Sequence, residues 1–178
     1  MARKQGRPKI GHEALTRERI LVTALELVDK DGIDALSMRR LASELGVDPM
    51  ALYHHLPGKR AVVAGLVELV FREFQVPLAE SMTWQDRVRA VAAAYRALVR
   101  SHPNFVLYLA ADREASALGA LEGSEALYAA LEAAGLSPRL ILLAADLVVD
   151  YVNGYVLGDV EGQLGQPGER AAFIVRLT

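Results

Sequence analysis

The stretch "LASELGVDPMALYHHLPGKRA", residues 41–61, decides the fold at the N-terminal end of this chain. Gly46 ends one helical pattern, because glycine readily takes the left-handed conformation that closes a helix. Only two residues later, Asp48 is a typical N-cap, and Pro49 follows at the first helical position, where its missing N–H costs nothing. Two short helices joined by such a tight turn predict a helix–turn–helix motif, whose second helix spans residues 48–55.

The rest of the chain also follows a helical period, and it contains no useful strand alternation and no internal repeat. Upstream, Thr16 and Ser37 are the predicted N-caps of two helices. The pattern predicts helices over residues 16–30, 37–45, 59–74, 84–101, 103–111, 117–134 and 137–161. The sequence therefore predicts an all-α protein.

The composition indicates a globular protein, since 52% of the 178 residues are apolar and 24% are charged. The absence of cysteine excludes disulfides, and "MARKQGRPK" at the N-terminus lacks the apolar core of a secretory signal, so we expect a cytoplasmic protein. The helix predicted over residues 137–161 is apolar almost all round, but it contains Asp146, Asp150 and Asn153. Each Asp at a bilayer centre would cost about 2.5–3.5 kcal/mol, which favours a buried helix of a soluble bundle over a membrane span.

Charge is unevenly distributed, although the formal net charge is only −2. Residues 1–60 carry 11 Lys and Arg against 8 Asp and Glu, whereas the remainder carries 9 against 14. Arg39 and Arg40 stand in the first turn of their helix, where the helix dipole disfavours cations by about 0.3–1 kcal/mol each. Such a local misfit indicates an external phosphate or guanine edge, although two solvated surface residues are the plainer alternative. Lys59, at the start of the next helix, predicts a phosphate contact.

The segment "ALELVDKDGIDALSMRRLASELGVDPMALYHHLPGKRAVVAGL", residues 24–66, resembles the DNA-binding domain of the TetR family of transcriptional regulators. The likeness covers about residues 15–70 and rests on Gly32, the "LA..LGV" turn, the "LY.H" of the recognition helix and the lysine that follows. It implies that Lys59 anchors the DNA backbone. It also implies base or phosphate contacts from Arg39, Pro49, Met50, Ala51, Tyr53, His54 and His55. To these we add Ser37 and Arg40, at the start of the preceding helix, as candidate DNA contacts.

The resemblance also implies how the chain is divided. A flexible basic arm over residues 1–14 precedes a helix–turn–helix domain over residues 15–58 and a helical effector-binding and dimerisation domain over residues 59–178. Residues 59–74 form the linker helix between the two domains. The arm's "RKQGRPK" carries four cations and no acid, which resembles arms that read the minor groove; a tail that only aids solubility is the alternative.

The adjacent His54 and His55 do not indicate a metal site. Neighbouring residues on a helix point about 100° apart, so these rings cannot chelate one ion as an i, i+4 pair can. His12 and His102 are distant in sequence, and no thiol is available. We expect no metal or cofactor, and we expect at least one of the two adjacent rings to contact DNA; packing of one ring is the alternative.

No catalytic signature occurs, so we expect a protein that is not an enzyme. The nearest approach to one is the pair Asp146 and Asp150, i and i+4 on one helix face, and a helical enzyme that uses them is the remaining alternative. The same row continues as Gly154, Gly158 and Gly162, and three glycines in a helix indicate the close approach of another helix. The resemblance implies that residues 137–162, together with a short helix over 168–178, form a four-helix dimer interface, and we assign these two Asp and three Gly to it.

The C-terminal part also supplies the elements of a ligand pocket, because aromatic walls with a few polar points are typical of small-molecule sites. The candidates on apolar faces, any of which instead fills the core, are Tyr95, His102, Phe105, Tyr108, Tyr128, Tyr151 and Tyr155. The resemblance places Tyr95 and Leu109 at pocket-lining positions. Where tetracycline-responsive members carry polar groups, this chain has Gln75, Val91 and Leu109, which favours a more apolar effector than tetracycline.

These observations lead to one function hypothesis. The protein is expected to be a homodimeric repressor that binds double-stranded DNA at a palindromic operator, with recognition helices about 34–36 Å apart. A small, largely apolar effector among the helices of residues 59–134 would release it, with the linker helix acting as a lever. A larger side chain at Ala64 or Gly65 is then expected to alter the response to the effector without affecting folding. The alternative within DNA binding is an effector-independent or activating regulator.

Overall fold

The computed structural model describes residues 14–160, which form helices and the turns between them. The basic arm, Gly162 and the helix expected over residues 168–178 lie outside the described residues. No strand occurs within residues 14–160, and the all-α prediction is confirmed. The helices are α1 Arg17–Asp31, α2 Met38–Leu45, α3 Pro49–Tyr53, α4 Lys59–Phe71, α5 Trp84–Ser101, α6 Pro103–Ala111, α7 Arg113–Gly123, α8 Glu125–Ala133 and α9 Pro138–Val160.

The first three helices begin at the N-caps that the sequence predicts. The Thr16 hydroxyl oxygen accepts a hydrogen bond from the Arg19 N–H at 3.1 Å, and the Ser37 hydroxyl oxygen accepts from the Arg40 N–H at 3.2 Å. The Asp48 carboxylate accepts from the Met50 N–H at 2.8 Å. Each cap satisfies a backbone donor that the first helical turn leaves free, which contributes about 1 kcal/mol.

Three of the predicted helices differ from the structure by more than one residue. The third helix ends at Tyr53 and not at residue 55, and the chain continues as a turn in which the His55 N–H donates to the Leu52 carbonyl at 3.0 Å. The linker helix ends at Phe71, and the chain then tightens into bonds such as Phe74 N–H to the Phe71 carbonyl. The helix expected over residues 117–134 is two helices, of which the first starts early because Asp112 accepts hydrogen bonds from two N–H groups of the following turn.

Helices α1 to α3 are called the head and helices α5 to α9 the body. The main core runs without interruption from the head into the body. Ile20, Leu41 and Leu52, from α1, α2 and α3, are fully buried together with Leu66 of α4 and Phe105 of α6. The predicted boundary between residues 58 and 59 therefore falls inside a continuous apolar core and remains a prediction. Because α4 belongs to both parts, a displacement of α4 acts on the packing of the head.

Two smaller apolar clusters hold α9 against the rest of the body. Val91 of α5 packs with Leu127 of α8 and Ala145 of α9, and Val152 and Val156 of α9 form the second cluster with α5 and α6. The outward side of α9 exposes large apolar side chains, which are Leu140, Leu142, Leu143, Leu147, Tyr151 and Tyr155. Among the described residues, no helix is both long and apolar enough to span a bilayer.

Candidate functional site

The outward side of α3 carries several of the predicted DNA contacts. Leu52 is fully buried and anchors this short helix on the core. Pro49, Met50 and Tyr53 are exposed as a result, whereas Ala51 is half-buried. Met50 is 64% exposed and Tyr53 45%, and large apolar side chains held together at a surface are typical of a contact site for a partner.

The two arginines at the start of α2 differ in their surroundings. Arg39 is exposed and makes no ion pair or hydrogen bond within the described part of the chain. Arg40 is turned about 100° around the helix, and its guanidinium lies 2.5 Å from Asp31 and 3.9 Å from Glu44. The argument from a local misfit therefore holds for Arg39 and is wrong for Arg40, because two carboxylates compensate the charge of Arg40.

Lys59 and Ser37 both have internal roles that bear on their predicted DNA contacts. The Lys59 ammonium donates to the Ile33 carbonyl at 2.9 Å, which ties the start of α4 to the turn between α1 and α2. An ammonium has three donors, so this bond leaves two for a phosphate. The Ser37 oxygen accepts the capping bond to α2, and its hydroxyl hydrogen is free to donate.

His54 and His55 follow α3 and are both exposed. Neither ring packs into the core or hydrogen-bonds within residues 14–160, so the packing alternative is wrong for both. The described residues also contain no group of three or more His, Cys, Asp or Glu arranged to hold a metal ion. Contact with DNA remains the prediction for these rings.

A cavity of about 400 Å³ lies in the body, between the end of α4 and helices α5 to α9. Four of the residues that the sequence predicts for the ligand pocket line it, namely Val91, Tyr95, Leu109 and Tyr128. Its volume falls in the range of small-molecule sites, and most of its wall is apolar. The remaining lining residues are Phe71, Phe74, Ala92, Ala110, Gly119, Gly123, Ser124, Leu127, Ala145, Asp146, Val148, Val149, Asp150 and Asn153.

The pocket prediction is wrong for His102, Phe105 and Gln75. Phe105 is fully buried in the main core, below the cavity wall. The Gln75 amide donates to the Arg72 carbonyl at 2.9 Å, at the end of the linker helix. His102 instead joins the body to the head, as described below. Sequence periodicity identifies a buried helix face but does not tell which buried residues border an internal space.

The pocket prediction is also wrong for Tyr151 and Tyr155, which lie on the outward side of α9. Each precedes a buried residue of the second apolar cluster, so its own side chain points about 100° away from the core. Tyr151 is 71% exposed, and the Arg96 guanidinium lies over the Tyr155 ring, 5.1 Å from its centroid. Both tyrosines border a shallow groove between α5 and α9.

The polar side of the cavity comes from α9. The Tyr95 hydroxyl donates to the Asn153 Oδ1 at 3.0 Å, and Asn153 is only 8% exposed. Asp146 and Asp150 also line the cavity, which their assignment to a dimer interface did not anticipate; that assignment remains a prediction. Burial, and then the negative charge of Asp150, raise the pKa of Tyr95 above its ordinary value, although the hydrogen bond to Asn153 opposes the shift.

Phe71, the last residue of α4, forms one wall of the cavity, and the sequence analysis missed it. Its ring lies against Gly119 and Gly123 of α7, where an added Cβ would meet the ring directly at Gly123. Phe71 contacts Phe74 edge-on at 6.2 Å, and Phe74 contacts Tyr95 edge-on at 6.4 Å. The paired glycines, four residues apart on one helix, were the available sign of a close neighbour, because small residues at this spacing let another group approach the helix.

A second junction joins the head to the body without using α4. The Nδ1 atom of His102 lies 2.7 Å from the Asp29 carboxylate of α1, and Nε2 lies 3.3 Å from the Glu73 carboxylate. The Asn104 amide donates to the Asp29 carbonyl at 2.8 Å. The linker helix is the covalent connection between head and body, but α1 and α6 are also in direct contact.

Comparisons with known proteins agree with this arrangement. The family described as "Bacterial regulatory proteins, tetR family" matches residues 20–66, and the "Tetracyclin repressor-like, C-terminal domain" matches residues 76–175. A helix–turn–helix transcriptional regulator of Saccharopolyspora erythraea is 35% identical over 175 residues, which cover 98% of this chain and 72% of the relative.

Two solved structures share the fold. The Streptomyces coelicolor TetR-family protein ActR, in complex with actinorhodin, has a TM-score of 0.71 and 29% identity, covering 90% of this chain and 76% of ActR. BioQ with its natural double-stranded DNA operator has a TM-score of 0.66 and 25% identity, covering 85% of this chain and 91% of BioQ.

The fold and the two sites define a helix–turn–helix transcriptional regulator: a DNA-binding head joined to a helical body that contains a ligand-sized cavity. The chain belongs to the TetR family of bacterial regulators. This membership confirms the class that the sequence predicted, a DNA-binding regulator and not an enzyme.

Proposed function

We propose that this protein is a homodimeric repressor that binds a palindromic operator in the cytoplasm and leaves it when a small molecule occupies the cavity. The observation that carries the proposal is the position of Phe71, which is at once the end of the linker helix and a wall of the cavity. A ligand that fills the cavity therefore touches the helix that belongs to the core of the head.

The exposed side of α9 supports the dimer. Leu143, Leu147 and Tyr151 are 57%, 70% and 71% exposed and follow one another at i, i+4 spacing, so they form a continuous apolar stripe. A stripe of this kind on a single copy indicates an interface, and Gly154 beside it has open space around its Cα. A two-fold dimer presents two identical recognition helices, which matches a palindromic operator with half-sites about one helical turn apart.

Arg39, which has no ion pair or hydrogen bond within residues 14–160, is available to read a base. The exposed side chains of α3 and the two histidines after it would contact base edges or phosphates, and Lys59 would bind the DNA backbone. Arg40 would act indirectly, by holding α2 against Asp31 at the end of α1.

The coupling would run through α4. Displacement of Phe71 by a ligand moves a helix whose Gly65 packs directly against Leu21 of α1. Ligand binding would change the spacing of the two heads of the dimer. A coupling free energy of about 1–3 kcal/mol between ligand and operator would alter operator affinity about 5–150-fold, which is enough to switch occupancy.

The first experiment is selection of random duplex DNA by the purified protein at near-physiological salt, with the oligomeric state measured by sedimentation. We expect an inverted repeat bound by a dimer. The recovered duplex is then titrated with candidate effectors, and release is followed by fluorescence anisotropy. Sequence-blind binding that is lost with salt would overturn the proposal, and specific binding that no small molecule alters would support an effector-independent regulator instead.

Arg39→Ala is the variant that tests the head. We expect operator affinity to fall by about 1–3 kcal/mol with relaxed preference at one base, because a guanidinium contact to a base edge is lost. Arg100→Ala removes an equal charge from the exposed side of α5 and serves as the matched control. Equal losses in both variants would show that Arg39 contributes only general electrostatic attraction.

A further inference from the structure

We propose that the cavity takes a cation: an apolar, ring-containing molecule that carries a protonated amine, bound between the aromatic wall and the carboxylates of Asp146 and Asp150. The inference rests on the proposed function, since it names the chemistry of the effector.

The described part of the cavity wall carries negative charge only. Asp146 and Asp150 line the cavity from adjacent turns of α9, and no Lys, Arg or His is among its lining residues in the described part of the chain. Neither carboxylate forms an ion pair within those residues, and the nearby Arg96 is placed over Tyr155 in the outer groove. Both residues are exposed, so the cavity presents two formal negative charges on its solvent-accessible side, and a ligand cation supplies the positive charge that the described lining residues lack.

Asn153 provides a second, independent indication of a ligand. Its side chain is more than nine-tenths buried and lines the cavity, and Oδ1 is taken by the Tyr95 hydroxyl. The Nδ2 group of the same amide has no hydrogen-bond acceptor among the described residues. Nδ2 is not sealed off from solvent, so this donor at the cavity wall is free to bond a ligand that carries a carbonyl or hydroxyl oxygen near its amine.

The surroundings of Tyr95 agree with a negative cavity. Burial raises the pKa of Tyr95, and the charge of Asp150, which lies on the same helix as the hydroxyl's partner Asn153, raises it further. A bound cation near Asp150 would offset that charge.

An organic cation fits the cavity better than a metal ion. Most of the wall is apolar, and Phe71, Phe74, Tyr95 and Tyr128 line it. Aromatic rings attract a cation that lies over their faces. A divalent ion needs six or more oxygen ligands or a compact tetrahedral set, whereas the described residues show no acidic or histidine cluster of three.

The test uses three fluorescent probes with one ring system and different charge: 9-anthracenylmethylamine, 9-anthracenemethanol and 9-anthracenecarboxylate. Each is titrated into the full chain at pH 7, and binding is followed by fluorescence anisotropy. We expect the amine to bind about tenfold tighter than the alcohol, the fold-change that one charge-assisted contact supplies, and the carboxylate to bind weakest. Equal affinities, a preference for the carboxylate, or no binding of any probe would overturn the inference.

Variants then test whether the two carboxylates cause the preference for the amine probe. Asp146→Asn combined with Asp150→Asn is expected to abolish the advantage of the amine and to leave the alcohol unchanged. Glu132→Gln, which removes a negative charge from the exposed side of α8, is the matched control and keeps the preference. If the double variant fails to fold, the comparison of the three probes on the unaltered protein still decides.

The same preparation is assayed for operator binding, so that two failures are distinguishable. Specific operator binding without an amine preference overturns the cation and leaves the proposed repressor intact. An amine preference without specific operator binding overturns the proposed function and leaves the chemistry of the cavity as inferred.

Discussion

The head and the body of this protein are joined by two links of opposite character. One link is apolar: Gly65 of α4 packs against Leu21 of α1, and Phe71 at the far end of α4 lies against two glycines of α7. The other is polar: His102 stands between Asp29 of α1 and the Glu73 carboxylate just beyond α4.

The difference between the links indicates a difference in what each can transmit. Close packing resists compression, so a ligand that displaces Phe71 pushes on α4 as a solid element. A hydrogen-bonded contact depends on orientation, and it opens when its geometry is lost. We therefore expect the apolar link to transmit such a displacement, and the polar link to help fix the position of α1 against the body.

Gly65→Val gives the largest expected effect, because it removes the apolar link by overpacking. A Cβ at residue 65 would lie 2.6 and 2.9 Å from the two terminal carbons of Leu21. We expect a loss of about 1–3 kcal/mol in the free energy of unfolding, measured by thermal or urea unfolding. This corrects the expectation that bulk at Gly65 leaves folding intact.

Ala64→Val is the matched control for this prediction, because Ala64 is only half-buried on the adjacent position of the same helix. It is expected to unfold within about 1 kcal/mol of the unaltered protein. Equal losses at residues 64 and 65 would contradict the view that Gly65 is the point of close contact.

His102→Ala breaks the polar link and comes next in size. The Asp29 Oδ1 is already buried without a hydrogen-bond partner in the described part of the chain, so the substitution leaves that carboxylate without its closest contact. We expect the free energy of unfolding to fall by about 1–2 kcal/mol. This is less than for a fully buried pair, because Asp29 is partly exposed.

A double-mutant cycle with Asp29→Asn separates this contact from a general packing effect. We expect the two substitutions to couple by about 0.5 kcal/mol or more. Purely additive losses would mean that His102 fills space and does not pair with Asp29.

Gly123→Ala sharpens the comparison at the other end of the apolar link. The added methyl group would meet the Phe71 ring, which can move because it is the end of a side chain. We expect only a small change in the free energy of unfolding. The ligand concentration that releases the protein from the operator is expected to shift several-fold, within the 5–150-fold range of typical coupling. In Gly119→Ala the contact is 3.3 Å and milder, so a shift as large there would contradict the role of Phe71.

The pH dependence of unfolding is the smallest predicted effect. Burial, followed by the charge of Asp150, raises the pKa of Tyr95 above 10.0 in the folded state. Above that pH the unfolded chain loses the Tyr95 proton more readily than the folded chain does, so stability falls as pH rises further. Tyr95→Phe is expected to flatten this alkaline decline, and an unchanged slope would assign the decline to other groups.

The head could be predicted largely from local signals. Thr16, Ser37 and Asp48 begin their helices through side-chain oxygens that cap the next turn, and Gly46 takes the left-handed conformation expected of it. These interactions join residues two to four positions apart. A linear pattern of residue types therefore contains the information they need.

The cavity could be predicted only in part. Val91, Tyr95, Leu109 and Tyr128 were expected there, whereas His102 and Phe105 lie in the core or at the junction with the head. The sequence pattern assigns all six to apolar helix faces, and the helical period does not distinguish among them. Which of them borders empty space depends on how the six helices α4 to α9 cross, and no local pattern records that.

What the sequence determined by itself is the set of helices, their caps, the helix–turn–helix head and the class of protein, because each rests on contacts within a few residues or on a motif of fixed spacing. What only the tertiary structure decided is how the parts meet. It paired Arg40 with Asp31 and left Arg39 exposed, and it brought Asp150 of α9 to a cavity that Phe71 of α4 closes. The physical reason is that helix packing selects among faces of equal apolarity by shape, and shape complementarity between distant segments is a property of the folded chain.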